Sequence, residues 1–214
     1  MSQALHQTVL LNQAVEALSV NPAGDYLDAT FGRGGHSREI LSHLSQQGSL
    51  SVVDCDPEAI AAAKVLQAND ERVHLYQGSF EDVLQQLKNT GFKFDGILFD
   101  FGVSSPQIDQ AERGFSFQQD GPLDMRMDNQ SGITAAEWLN TASIDEMKRV
   151  FWRYGEEKNA GRIARAIAEH RVRKPLNTTF DLVEVVKGVN KPNFKQRKHP
   201  ATRVFQAVRI FIND

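Results

Sequence analysis

The chain has 214 residues, 41% hydrophobic and 24% charged, a globular composition long enough for one substantial core and a smaller appended unit. A single cysteine, Cys55, excludes an intrachain disulfide and a Cys-rich zinc site, and favours a reducing compartment. No apolar run approaches the roughly 18 residues needed to span a bilayer, and no secretory pattern opens the chain, so a soluble, cytoplasmic protein without a membrane partner or a metal is expected.

Residues 9–18 read as an opening helix, and Tyr26 to Phe31 as a strand running into the glycine-rich FGRGG. A helix over His36 to Leu44, a strand over Leu50 to Asp54 and an alanine-rich helix over Pro57 to Leu66 follow, with Pro57 suited to a first helical turn. Val73 to Gln77 predicts a third strand, Phe80 to Leu87 a helix, and Phe94 to Asp100 a fourth, almost wholly apolar strand. Strands alternating with helices at this spacing imply a parallel sheet covered on both faces.

Beyond Pro106 no strand signal is convincing. A long polar loop (QIDQAERGFSFQQDGPLDMRMDNQSG), of a length that is usually functional or mobile, gives way to helices. Ser143 and Glu146 form a capping-box pattern ahead of Met147, Val150, Phe151 and Tyr154, and Ala160, Ile163, Ala164 and Ile167 make a second apolar stripe with Arg162 and Arg165 on its other side. Thr178 with Asp181 opens a third helix that Gly188 can close, and a basic, Pro-broken loop leads to a last helix from Ala201. Lys158 to Arg209 holds thirteen Lys/Arg against three Asp/Glu, while the rest of the chain holds 11 against 24. An acidic body with a basic segment fits a body handling a small ligand and a segment touching phosphates; Arg162, Arg165, Lys195, Arg197 and Lys198 are the candidate phosphate contacts.

The string LDATFGRGGHS follows a strand and opens a helix, the context in which a glycine turn points to an anionic or nucleoside ligand. Asp54 ends the second strand 22 residues after Gly32, where a carboxylate can accept hydrogen bonds from ribose hydroxyls. A nicotinamide-dependent oxidoreductase shares these features, but the order G-R-G-G-H departs from G-x-G-x-x-G, and no Tyr-x-x-x-Lys constellation for hydride transfer is present. Asp28, four residues before Gly32, suits an ammonium or a bound water, Phe80 can lie against an adenine ring, and Asp100 ends the fourth strand. These features favour S-adenosylmethionine.

The strings HQTVLLNQAVEAL, DATFGRGGHS, DFGVSSPQ, ERGFSF with DGPLDMRM, and KHPATRVFQAVRI occur in order from His6 onward. They resemble the successive signatures of the MraW/RsmH family, bacterial methyltransferases acting on N4 of a cytidine in the decoding region of 16S ribosomal RNA. The resemblance implies an α/β, Rossmann-like class I methyltransferase with an α-helical insertion after the fourth strand. It implies S-adenosylmethionine as cofactor, small-subunit ribosomal RNA as partner, and cofactor contacts at Gly34, Gly35, His36, Asp54, Phe80, Asp100 and Gln107. Family members continue past the last helix into a glycine turn, an ISFHSLED-type strand and the closing strands of the sheet. The expectation is therefore a truncated copy: a cofactor domain over 1–105, a loop and helical insertion over 106–199, and a helix over 200–214 returning to the cofactor domain, with the terminal strands absent and the fourth strand left exposed to self-association.

Amino-methyltransferases in general place an acidic or amide residue, two prolines and an aromatic at the fourth strand end, where this chain has Asp100-Phe101-Gly102-Val103. Asp100 is the expected catalytic residue, and Phe101, Phe115 or Phe117 the aromatic that stacks on the target base. The competing non-enzyme reading is an RNA-binding or assembly module with a vestigial cofactor pocket.

Overall fold

A computed structural model describes residues 8–190 and 199–213. The chain divides into two compact units, Met1–Ser104 and Ser105–Asp214. In the first unit α1 (Leu11–Leu18), α2 (Gly35–His43), α3 (Pro57–Asn69) and α4 (Phe80–Asn89) alternate with β1 (Asp25–Asp28), β2 (Ser49–Asp54), β3 (Val73–Gln77) and β4 (Gly96–Leu98). The strands are all parallel in the order β3-β2-β1-β4. This is a Rossmann-like α/β arrangement whose chain reverses direction across the sheet between β1 and β4, the place where such sheets bind ligands at the carboxyl ends of their strands.

The pleat explains the apolar runs. Tyr26, Leu50 and Val52 join Ile40, Ala59 and Ala63 in the core on one face, while Leu27, Ala29 and Val53 pack with Val83 and Leu87 on the other. Successive side chains of a strand point to opposite faces, so burial on both sides leaves no position for a polar alternation. The helices start where caps are available: Asp56 accepts from the Glu58 amide ahead of Pro57, and Ser79 from the Asp82 amide. β4 is shorter than its apolar sequence predicts, three residues instead of seven, because pairing with β1 is confined to Gly96, Ile97 and Leu98. Among the described residues it pairs with β1 alone, and Ile97 and Phe99 are partly exposed.

The second unit is helical: α5 (Ser105–Asp109), α6 (Ala135–Thr141), α7 (Ile144–Gly155), α8 (Ala160–Arg173), α9 (Thr179–Val189) and α10 (Thr202–Asn213). Its core combines Trp138, Leu139, Met147, Phe151, Ile163, Ile167, Leu182 and Val186 with Val204, Phe205 and Val208 of α10. The last helix, expected to return to the cofactor domain, thus belongs to the helical unit, since its apolar stripe is buried among α6, α7 and α8. The long polar stretch before α6 is also part of this core. Phe115, Leu123 and Met125 are fully buried, Arg113 donates to the carbonyls of Arg126 and Met127, and the Leu123 amide donates to Asn177. Gly114, at φ +70°, lets this loop turn where any Cβ would overlap the Pro122 carbonyl.

Three local readings change. Ser143 caps α7 through the Glu146 amide, but the Glu146 carboxylate accepts from Trp138 Nε1 at 3.0 Å instead of closing the capping box. A complete box occurs at Thr134 and Glu137, which start the α6 that the sequence reading had not singled out. Gly188 lies inside α9, which ends at Asn190.

Candidate functional site

The carboxyl ends of β1, β2, β3 and β4 carry most of the expected cofactor residues. After β1 the chain turns through Gly32 and Gly34, both in the left-handed region, and enters α2. Gly34 is required by packing as well as by φ, since a Cβ would stand 2.6 Å from the Phe31 ring, and one at Gly35 would overlap the Thr8 side chain. The space that these two glycines leave is therefore filled by protein, not held open for a ligand. What they present to the cleft is backbone at the start of α2.

Asp28 does not face a ligand. It is 1% exposed, accepts from Ser37 Oγ at 2.6 Å and from the Thr30 amide at 3.1 Å, and so pins the glycine turn to α2. Burial raises its carboxyl above the ordinary aspartate range, against the opposing effect of those two hydrogen bonds. The sequence reading missed this because it had no way to see Ser37 fold back onto the strand.

Asp54 is partly exposed and already engaged. Its Oδ2 accepts from the Gly32 amide at 2.8 Å, and its Oδ1 from the amides of Cys55 (2.8 Å) and Asp56 (2.9 Å). Burial raises this carboxyl too, more than the three amides lower it. Each carboxylate oxygen has further acceptor capacity, so the group can organise the turn and still meet a hydroxyl.

His36, in the first turn of α2, is 6% exposed. Its Nδ1 lies 3.8 Å from Oδ2 of Asp100, while its Nε2 is buried with no hydrogen-bond partner among the described residues. Asp100 leaves β4 with its amide donating to Thr30 Oγ1 at 2.7 Å and its side chain 54% exposed. Thr30 thus ties the end of β1 to the end of β4, a role no sequence spacing signalled.

Phe80 begins α4 beside Gly78, whose φ of +145° only glycine adopts readily and where a Cβ would meet the Val83 side chain at an ordinary 3.7 Å. Phe80, Phe99 and Phe101 form a cluster with ring centroids 5.2 to 5.7 Å apart, Phe99 and Phe101 being stacked. Phe101 is 70% exposed. Of the three aromatics expected to stack on a base, Phe115 is fully buried and Phe117 packs against His199 and Phe205, so Phe101 is the one that is largely exposed.

Gln107 is buried in α5 of the second unit. Arg162 and Arg165 are exposed on α8 and form no ion pair among the described residues. Lys195, Arg197 and Lys198 lie outside the described residues.

The family model described as "MraW methylase family" matches residues 3–214. A protein named ribosomal RNA small subunit methyltransferase H from Shewanella loihica is 55% identical over 97% of the chain, and one of the same name from Shewanella frigidimarina is 52% identical over all of it. A third, from Legionella pneumophila, is 50% identical over 98%. The chain spans about two thirds of the length of these relatives, 66% of the first and 68% of the other two.

Proposed function

Because the chain belongs to the MraW methylase family, we propose that it is an S-adenosylmethionine-dependent methyltransferase acting on N4 of a cytidine in small-subunit ribosomal RNA. The observation that carries this reading is the convergence, at one end of the sheet, of a glycine turn opening α2, a carboxylate at the end of β2, an exposed aromatic at the start of α4, and Asp100 at the end of β4. The residues fit the cofactor. Asp54 has acceptor capacity for ribose hydroxyls, Phe80 is exposed enough to meet adenine, and the orphaned Nε2 of His36 is a buried polar atom that a bound group or water can satisfy. Gly34 and Gly35 contribute backbone, and Gln107 is the proposed contact from the second unit. The cofactor supplies an electrophilic methyl group on a sulfonium.

The exocyclic amine of cytosine is a poor nucleophile because its lone pair is delocalised into the ring, so positioning supplies most of the acceleration. Asp100, anchored through Thr30, presents a carboxylate that accepts a hydrogen bond from the amine and takes a proton as the nitrogen gains its methyl. Phe101 stacks on the target base, which must be unpaired or extruded for its amine to be reached. Arg162 and Arg165, with Lys195, Arg197 and Lys198, meet RNA phosphates.

The test is incorporation of labelled methyl from S-adenosylmethionine into small-subunit ribosomal RNA, with the product nucleoside identified by mass. N4-methylcytidine is expected, and its loss in Asp100→Asn with cofactor affinity kept. A different methylated nucleoside would overturn the assignment of the amine, and cofactor binding without any transfer would favour the vestigial-pocket module.

A further inference from the structure

An open groove of about 910 Å³ runs along α7 and α10 within the helical unit, at the upper end of the size range of ligand sites. Its floor is apolar, from Val150, Tyr154 and Phe211, and its edge carries Trp152, 63% exposed, whereas Met147, Val150 and Phe151 of the same helix are buried. Arg149 and Arg153, four residues apart on one face of α7, flank the indole, and Lys158 and Arg203 complete the rim.

These four cations are not neutralised by carboxylates. Among the described residues none forms an ion pair. Arg153 lies over the Tyr154 ring at 5.4 Å, and Arg203 donates to the Glu156 carbonyl at 2.7 Å. Two carboxylates also line the groove, Glu146 and Glu156, and Glu146 is held by Trp138. The net field is positive, beside the largely exposed indole of Trp152. Unpaired guanidinium groups interleaved with exposed rings are the requirements for tracking a phosphate backbone while stacking its bases. An acidic protein segment would use the charges but has no need of the indole.

We infer that this groove binds a single-stranded RNA segment, stacking a base on Trp152 and setting phosphates against Arg149, Arg153, Lys158 and Arg203. Its lining shares no residue with those proposed around the methyl transfer or with Arg162 and Arg165. The choice of RNA among polyanions rests on the proposed function; the existence of the site does not.

The full 214-residue chain and its variants are titrated by calorimetry with a short oligocytidylate and, separately, with inorganic polyphosphate and polyglutamate, and tryptophan fluorescence is followed in Trp138→Phe, where Trp152 is the remaining indole of the two. Oligocytidylate is expected to quench it. Trp152→Ala should weaken oligocytidylate binding about five- to 150-fold, the loss of one stacked base, and leave polyphosphate binding unchanged. Arg149→Gln with Arg153→Gln should weaken both and lower the slope of log affinity against log salt by about 1.4, two phosphates on a single strand.

Thermal melts identify any variant that fails to fold; Trp152→Leu and the arginine pair then decide. Unchanged oligocytidylate affinity in both the tryptophan and the arginine variants overturns the proposal, as does a groove that takes polyglutamate in preference to oligocytidylate, which would make it a protein-docking face. Cofactor binding and methyl transfer are followed in parallel. Oligocytidylate binding that depends on Trp152 without methyl transfer retains the groove and removes the enzymatic reading. Transfer and RNA binding indifferent to Trp152 and to the arginine pair do the reverse.

Discussion

His36 and Asp100 come from opposite sides of the point where the sheet reverses, and the fold sets His36 Nδ1 3.8 Å from Asp100 Oδ2 while burying Nε2 with no partner among the described residues. A buried, unsatisfied nitrogen costs roughly 1–3 kcal/mol, a cost that a ligand can remove. His36→Leu should therefore raise the melting temperature of the ligand-free protein and reduce the further rise produced by S-adenosylmethionine. A variant less stable than the parent with an undiminished ligand-induced shift would refute this account of the orphaned nitrogen.

Asp54→Ala removes the acceptor proposed for the ribose hydroxyls, and also the one that holds the amides of Gly32, Cys55 and Asp56. Cofactor affinity should fall by about 1.5–3 kcal/mol, the range for hydrogen bonds to a charged group, and the melting temperature should fall with it. Asp54→Asn, which keeps one acceptor oxygen, should lie between. Calorimetry showing full affinity for the alanine variant would remove Asp54 from the site.

The buried Asp28 carboxyl is raised above its ordinary value of 3.8, with burial as the main cause. The folded protein therefore holds this proton to higher pH than the unfolded chain does, and stability is lost as pH rises through the folded value. In Asp28→Asn the Thr30 amide keeps an acceptor and Ser37 Oγ can accept in place of donating. The gain in stability of the variant over the parent should grow with pH above 3.8 and level off. Denaturant unfolding across that range measures it, and a pH-independent difference would contradict it.

Asp181 has the opposite sign. Burial acts to raise its carboxyl, but Lys174 Nζ at 2.7 Å and the amides of Asn177 and Thr178 at 3.0 Å outweigh it and hold the group below 3.8. Its contribution is present above the unfolded value and lost as pH falls through the folded one. Asp181→Asn should cost about 1–3 kcal/mol at neutral pH, and the deficit should shrink below pH 3.8. Urea melts at neutral and acid pH make the comparison; an equal deficit at both would show that the charge is not what matters.

Phe101→Ala should leave the melting temperature and cofactor affinity almost unaltered, since the ring is 70% exposed. Transfer to RNA should fall by about five- to 150-fold through the loss of a stacked base. Phe101→Tyr should restore most of it. Full transfer by the alanine variant would move the stacking role elsewhere.

The sequence by itself determined the strands and helices of the first unit and the sheet's parallel sense, because apolar runs of strand length separated by amphipathic helices have few ways to be buried. It also placed Gly34, His36, Asp54, Phe80 and Asp100 at strand ends, since each lies just beyond an apolar run. It could not decide which polar groups face a ligand and which face the fold. Asp28 and Asp54 read alike as acids ending strands, yet Ser37 closes over the first and leaves the second partly exposed. Phe101, Phe115 and Phe117 are equivalent as composition, and only packing buries one, covers part of another and leaves the third largely exposed. The polar stretch before α6 read as a loop because its buried residues, Phe115, Leu123 and Met125, follow no helical or strand period; they are brought into the core by hydrogen bonds to α9 and α10 that are distant in sequence. Local pattern reports backbone preference, whereas exposure and partner choice depend on contacts between residues far apart along the chain, and those only the tertiary structure decides.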